Sequence, residues 1–494
     1  MPGSRARPAP IGKDELLAGL PPEWPDDLLP AIRTALAESG QTLGVLDDDP
    51  TGTQTVHDVE VVTAWSEADL ADAMADRRPC LYVLTNTRAL PEREAALRAA
   101  EAARNLARAG RRLGREVVVD IRSDSTLRGH HPAETWAVRD VLEAEQGRPF
   151  DGELLAPFFP EGGRVTVDNV HYVLEAQRLV PAGQTEFARD SAFSYRASNL
   201  CDWVEEKTRG RVKAADVICV SIDDLRLGGP DRVTGLLGKL TADRTVVVNA
   251  ASYRDLEVFV LGLLRAESAG KRFLYRTAAG FVRVRIGQAG RLPLTFAELY
   301  PTGPSDLGGL IVVGSHVRRS TEQLAAALAA LPDLAPVELH VGAVLDETGR
   351  ETAIADAAAA VDRSLRAGQD TVLFTSRQPV RAGGHEADLR LSRRVSAALV
   401  ETIRRLEAAP RYLIAKGGIT SSDLATEALG IRRAEVPGQV APGVPCWRTG
   451  PGSRYPGIPY VVFPGNVGTP ETLIEVIRLL RGTSPSPAHG RGSG

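Results

Sequence analysis

Asp124-Ser125-Thr126-Leu127-Arg128-Gly129 gathers a carboxylate, two hydroxyls, a guanidinium and a glycine into one short stretch. It follows the β-branched run Glu116–Ile121, which reads as a buried strand, with Arg122 and His130 on either side. Such a set can orient hydroxyls, grip a carboxylate through bidentate hydrogen bonds and accept a proton. Two corners of the same kind stand after other strand-like runs. Thr42–Leu46 leads into Asp47-Asp48-Asp49-Pro50-Thr51-Gly52-Thr53-Gln54-Thr55, and Cys80–Leu84 leads into Thr85-Asn86-Thr87-Arg88. A turn-rich loop, Pro157–Thr166, places Arg164. Arg88, Arg128 and Arg164 are therefore candidates to hold a carboxylate. Asp48, Asp49 and Asp124 are candidates to orient hydroxyls, with Asp48 or Asp124 as general base. An isolated Asp or Arg is usually a solvated surface residue or a cap. Three such corners at strand ends, where α/β proteins bind ligands, point to a site. His57, His130 and His131 carry a weaker signal.

The second half of the chain repeats one device. Gly314-Ser315, Lys416-Gly417-Gly418-Ile419-Thr420-Ser421-Ser422 and Pro464-Gly465-Asn466-Val467-Gly468-Thr469-Pro470 each join a strand-like run to a helix-like one. Glycine lets backbone approach a ligand, and the following helix start offers free N–H groups suited to phosphate. Any one of these is an ordinary tight turn; three in one region suggest a nucleotide cradle, with ATP the expected nucleotide. No Walker A loop and no protein-kinase signature occurs.

The elements that must position these residues alternate as strand, helix, strand, the spacing of parallel βαβ units. A helical segment covers Leu28–Glu38, and Pro91 opens a long helix to about Arg108. Further strands are expected at Asp216–Ile222, Thr245–Ala250, Leu310–Val313, Thr371–Phe374, Tyr412–Ala415 and Pro459–Phe463, and a last helix at Glu471–Arg481. Ser320 with Gln323 fits a capping box, and Pro470 a first helical position. Tyr300–Ser305 is the best linker, and Thr483–Gly494 has the composition of a disordered tail.

A chain of 494 residues exceeds one hydrophobic core, so two domains or more are expected. The net charge of -4 argues against a broad nucleic-acid or anionic-membrane surface. Four widely spaced cysteines with no CxxC pairing suggest core thiols in a reducing cytosol, not a zinc site or a disulfide framework. No secretory signal or transmembrane run is visible. The expected setting is cytoplasmic, with no nucleic-acid or membrane partner; a homodimer is left open.

One competing assignment uses the same corners. Asp47-x-Asp49-x-Thr51 resembles motif I of haloacid dehalogenase-type phosphatases, Thr85-Asn86 their second motif, and Asp120 with Asp124 their acidic fourth. Asp47 would then be the nucleophile beside Mg²⁺. Residues 89–119 supply arginine where that family needs a lysine, and the C-terminal half is left unexplained.

Taken together the motifs resemble the four-carbon acid sugar kinases, which include threonate, erythronate and 3-oxo-tetronate kinases. The resemblance runs from about Leu43 to Leu480. It is carried by Asp48-Asp49-Pro50-Thr51-Gly52, by Asp124-Ser125-Thr126-Leu127-Arg128-Gly129, the most specific match, by Gly314-Ser315, by Gly417-Gly418-Ile419-Thr420 and by Gly465-Asn466-Val467-Gly468. It implies an α/β protein of two domains, each a largely parallel sheet flanked by helices, with an active-site cleft between them. The expected division is an N-terminal extension (1–40), a sugar-acid-binding domain (41–300), a linker (301–308), a nucleotide-binding domain (309–482) and a disordered tail (483–494). The implied reaction is ATP-dependent phosphorylation of the terminal hydroxyl of a four-carbon acid, with Mg²⁺. By motif position, Asp48, Arg88, Asp124, Ser125 and Arg128 are candidates for the acid, joined by Asp49 and Arg164 as further substrate-binding candidates. Ser315, Gly417, Gly418, Thr420 and Gly465 are candidates for ATP, joined by Lys416 and Asn466, and metal ligands are unassigned. Two positions depart from the family: Ile419 replaces a common acidic residue, and Phe463 a common lysine, for which Lys416 is the candidate replacement. A non-catalytic sugar-acid sensor is the alternative from another class.

Overall fold

The computed structural model describes residues 8–76, 78–242, 244–315, 317–346, 348–377 and 385–483. The expected disordered tail, beyond Thr483, lies outside them, as do residues 1–7. The chain divides into two compact units between Gly290 and Arg291. Both are α/β.

The N-terminal unit contains β1 (Ile11–Gly12), β2 (Thr42–Asp47), β3 (Val59–Val62), β4 (Cys80–Leu84), β5 (Val117–Arg122), β6 (Gly152–Ala156), β7 (Arg164–Val167), β8 (Val170–Glu175), β9 (Arg178–Pro181), β10 (Ile218–Val220), β11 (Arg244–Val248) and β12 (Phe273–Thr277). Eight of them form a sheet in the order β10-β11-β6-β12-β5-β2-β4-β3, every neighbouring pair parallel. Helices cover such sheets on both faces, so their strands read as unbroken apolar runs. β2, β4, β6 and β12 are buried along their whole length. Leu46, Val83 and Ile121 meet Leu106 of helix Glu92–Arg112 and Val138 of helix Ala133–Gln146 in one core. A small antiparallel sheet, β1-β9-β8-β7, joins Ile11–Gly12 to the three strands between Arg164 and Pro181. Through it Ile11 pairs with Leu179, so the N-terminal extension is tied to this unit. Helix Leu29–Ser39 is anchored by fully buried Ile32.

The C-terminal unit contains β13 (Leu310–Val313), β14 (Ala335–Leu339), β15 (Thr371–Thr375), β16 (Leu413–Lys416), β17 (Arg433–Ala441), β18 (Val444–Thr449) and β19 (Pro459–Phe463). Their order is β17-β18-β19-β16-β13-β15-β14. The last five in this order are mutually parallel, and β17 and β18 form an antiparallel flank. Among the described residues no helix is long and apolar enough to cross a membrane.

Three local expectations fail for identifiable reasons. Asp216–Ile222 is a strand only over Ile218–Val220, because Ser221 and Asp224 close a capping box that starts helix Ile222–Arg226. Ser320 and Gln323 do not cap. The helix begins earlier, at Arg318, and both side chains bond the last glycine turn: Ser320 Oγ donates to Gly465 O at 3.2 Å, and Gln323 Nε2 to Thr469 O at 2.7 Å. Pro470 precedes the helix start, which is Thr472 with Glu471 as N-cap.

Asp370, at the start of β15, ties the C-terminal unit together. Its carboxylate accepts from Gly309 N and Tyr412 Oη at 2.5 Å and from Arg481 Nε at 2.6 Å. Burial raises its pKa, but these donors outweigh burial and hold it below the usual carboxylate range. Asp370→Ala should cost roughly 3–5 kcal/mol by stranding buried partners. The measurement is urea unfolding of the full chain; a change below about 1 kcal/mol would show the network to be dispensable.

Candidate functional site

Register explains why the three acidic corners meet. β2 lies between β4 and β5, with Asp47 paired to Leu84 on one side and to Arg122 on the other. The strand-end loops therefore stand side by side. Arg88 clamps Asp48 with two bonds, Nη2–Oδ1 at 2.5 Å and Nε–Oδ2 at 3.1 Å, and its Nη1 reaches Asp49 at 3.4 Å. Arg122 Nη1 donates to Asp47 at 2.9 Å and to Asp48 at 3.3 Å. Asp49 also accepts the Thr51 N–H at 2.9 Å. Burial raises the Asp49 pKa, but Arg88 and Arg122 outweigh it and leave the carboxyl low. Burial pushes Asp47 up to about 8, against the pull of Arg122. Asp47 also lies under Gly52, where a Cβ would collide with both of its carboxylate oxygens. It offers no open face to a phosphate ester.

The Asp124–Gly129 loop turns through two left-handed residues, Leu127 (φ 68°) and Gly129 (φ 114°). Asp124 accepts from Arg128 Nε at 2.6 Å and from the Thr126 hydroxyl. Arg88 Nη1 is 4.0 Å from Asp124. Burial pushes the Asp124 carboxyl up, but Arg128 and then Arg88 outweigh it and hold it well below the usual range. Tyr195 Oη donates to Thr126 O at 2.7 Å, and His171 Nε2 lies 2.7 Å from Ser125 O, so the loop is pinned from behind. Arg128 and Arg164 both lie over the Phe187 ring, at 5.3 and 5.6 Å. Asp48, Asp49, Arg88, Asp124, Ser125, Arg128 and Arg164 thus share one region. His130 and His131 are buried, His130 beside Leu90 O at 2.9 Å and His131 stacked on Trp203 at 4.9 Å.

Two arginines were not singled out from sequence as binding groups. Arg122 ends β5 and binds the aspartates. Arg276 stands in β12, paired in register with Ile121, is 3% exposed, and packs its guanidinium over Trp203 at 5.2 Å. Its Nη2 has no hydrogen-bond partner. The available signal was a charged residue inside a buried run, Phe273–Thr277.

The C-terminal unit aligns its three glycine turns by the same logic. Val313, Lys416 and Phe463 form one row across β13, β16 and β19. The turns that follow touch: a Cβ at Gly417, whose φ is 115°, would come within 2.9 Å of Ser315 Cβ, and one at Gly465 within 3.3 Å of Ser315 Oγ. Helices Arg318–Ala330 and Thr472–Arg481 start without a side-chain cap, leaving N–H groups for a ligand. Val317 and Ile419, 48% and 58% exposed, flank these turns with apolar surface. Thr420 is buried behind Gly314, and Asn466 is exposed. Arg318 is exposed and paired with Glu322 at 2.7 Å. Lys416 is fully buried; its Nζ donates to Pro464 O at 2.8 Å and lies 4.0 Å from the Phe463 ring centroid. Arg377, after β15, donates to Ser315 O at 2.7 Å and Thr321 Oγ1 at 2.6 Å. Among the described residues no three His, Cys, Asp or Glu side chains converge as a metal cluster. Asp47, Asp48, Asp49 and Asp124 are each engaged by a guanidinium, so among the described residues this corner forms no all-protein cage for Mg²⁺; a nucleotide-borne Mg²⁺ needs only one or two protein oxygens.

Residues 43–285 match the family model of a sugar-binding N-terminal domain, and residues 310–473 that of a nucleotide-binding C-terminal domain. No curated protein matches the chain. A Salmonella typhimurium LT2 protein named a candidate tRNA synthase superposes with a TM-score of 0.64 at 18% identity, over 88% of this chain and 98% of that one. A Haemophilus influenzae protein of family DUF1537 gives 0.57 at 18% identity, over 88% and 100%. At such identity these likenesses concern the fold.

Burial pulls the Lys416 ammonium down to about 7, with Arg319 adding to the effect. Between that value and the unfolded value near 10.4, the unfolded chain holds a proton that the folded chain lacks. Stability contributed at this position therefore rises with pH, by up to about 1.4 kcal/mol per unit. Lys416→Met should remove that slope. Chemical unfolding of both proteins at pH 7, 8 and 9 checks it; a pH-independent difference would mean Lys416 stays charged.

Proposed function

The chain belongs to the four-carbon acid sugar kinase family, and from that premise we propose that it transfers the γ-phosphoryl group of ATP to the terminal hydroxyl of a four-carbon sugar acid of threonate, erythronate or oxo-tetronate type. The observation that carries this reading is the paired chemistry of the two units. An arginine–aspartate corner occupies the strand ends of the sugar-binding unit, and three abutting glycine turns occupy those of the nucleotide-binding unit. The acid's hydroxyl oxygen forms the new bond to phosphorus, the bond to the β–γ bridging oxygen breaks, and ADP leaves. Such transfer depends on positioning and charge neutralisation more than on a strong base. That suits this corner, because both candidate bases are already held by arginines: Asp48 by Arg88 and Arg122, Asp124 by Arg128. Backbone N–H groups of the glycine turns and helix starts would meet the phosphates. Mg²⁺ supplies further charge neutralisation when it is bound with the nucleotide. The position of Asp47 beneath Gly52 does not favour a phosphatase with Asp47 as nucleophile.

ADP formation from Mg-ATP, followed across isomers of threonate, erythronate and oxo-tetronate, tests the proposal. ADP should appear with at least one acid and not without acid. The absence of ADP with every acid tested, together with phosphate release from phosphate esters, would overturn it.

Arg128→Ala separates the two substrates. Loss of a charge-assisted bond should raise KM for the acid roughly 10- to 100-fold. KM for ATP should stay within about 2-fold. Equal loss of both would mean the corner does not face the acid.

A further inference from the structure

We propose that Arg276 binds the substrate's carboxylate and sets the preference for an acid over a neutral sugar. The inference rests on the function proposed above and names the residue responsible. Three guanidiniums of the inner corner are already matched to aspartates. Arg122 is held by Asp47 and Asp48, Arg88 by Asp48 and Asp49, and Arg128 by Asp124. Arg164 is partly exposed and donates to Gly162 O. Arg122 and Arg164 each leave Nε unpartnered, but Arg276 combines 3% exposure and an unpartnered Nη2 with the lack of an aspartate pair. Among the described residues, no carboxylate stands within ion-pair distance of it; Glu153, Glu134, Asp48 and Asp124 act on it only from farther off. A buried cation with no carboxylate at contact distance is costly, and a ligand carboxylate would complete the pair.

The surroundings fit an anionic ligand. Gly129 belongs to the motif that most specifically marks the family. A Cβ there would stand 3.4 Å from Asp48 Oδ2 and 3.7 Å from Arg276 Nη2. The bare face of Gly129 is thus bordered by a carboxylate able to orient a hydroxyl and a guanidinium able to grip a carboxylate. The Trp203 ring, 5.2 Å from the guanidinium carbon, supports the cation, whose fork geometry suits a two-pronged bond to a carboxylate. A neutral polyol would leave the cation unpaired, so discrimination against it would follow from the same feature.

The test compares wild type, Arg276→Gln and Arg276→Lys. The probes are threonate, erythronate and oxo-tetronate isomers and the neutral tetritols threitol and erythritol, with ATP binding as the control for folding. In wild type the acids should raise the melting temperature and be phosphorylated, and the tetritols should do neither. Arg276→Gln should weaken acid binding roughly 10- to 100-fold and leave ATP affinity within about 2-fold. If Arg276→Gln does not fold, Arg276→Lys carries the comparison, with acid binding about 10-fold weaker because an ammonium cannot form the fork. Unchanged acid affinity in a folded variant would overturn the role of Arg276 and leave the kinase reading standing. No binding or turnover of any acid by wild type would overturn that reading, and Arg276's role with it.

Discussion

The N-terminal unit depends on one constraint: aspartates at the end of β2 are buried and must be neutralised where they stand. Asp48 is 2% exposed in its side chain, and water is not there to solvate it. Arg88 from the loop after β4 and Arg122 at the end of β5 do so from the two neighbouring strands. In a low-dielectric interior such pairs give little net stability, but breaking one strands a charge. The arrangement therefore fixes geometry more than it adds stability. Parallel register supplies it, because only adjacent, in-step strands deliver their terminal residues to one place. The same lattice uses up the positive charge of the arginines within it. Arg276, with no aspartate at contact distance, stands outside that lattice.

The C-terminal unit answers a different demand with the same topology. Its three turns carry few charges and many backbone N–H groups, as a nucleotide-binding unit needs where phosphate must meet backbone. Turn shape is then the quantity to protect. Ser320 and Gln323 leave their own helix to bond the 465–469 turn, and Lys416 bonds Pro464 O from beneath. Contacts between turns leave no room for side chains at Gly314 or Gly417.

Much of this was legible in the chain. Unbroken apolar runs revealed β2, β4, β5, β13, β16 and β19, and the residues after each gave the candidate site, because parallel sheets place function at strand ends. What sequence could not show was partnership. Ser320-x-x-Gln323 has the spacing of a capping box, and only tertiary contact diverts it to another turn. Asp47, Asp48 and Asp49 look alike in sequence, yet one lies under Gly52, one is clamped by two arginines and one caps a turn. β7, β8 and β9 were missed because their short runs are broken by charged and turn residues. Arg276 was passed over because a lone arginine in an apolar run carries no motif; its meaning comes from what fails to pair with it.

Register also relates the residues beneath the glycine turns. Lys416 is the partner of Phe463 one strand away, with its Nζ 4.0 Å from the Phe463 ring centroid. The aromatic face supplies part of the stabilisation that water would give the protonated form in an open site. A fully buried ammonium bonded to a backbone carbonyl is held near its neutral form by burial, so it supports the Pro464 turn whether or not it carries a proton. Ile419 exposes an apolar side chain beside the same turns and Phe463 is fully buried, so neither adds charge to the rim of the nucleotide-binding unit. More of the phosphate contact is thereby left to backbone N–H groups, whose positions the three aligned strands determine.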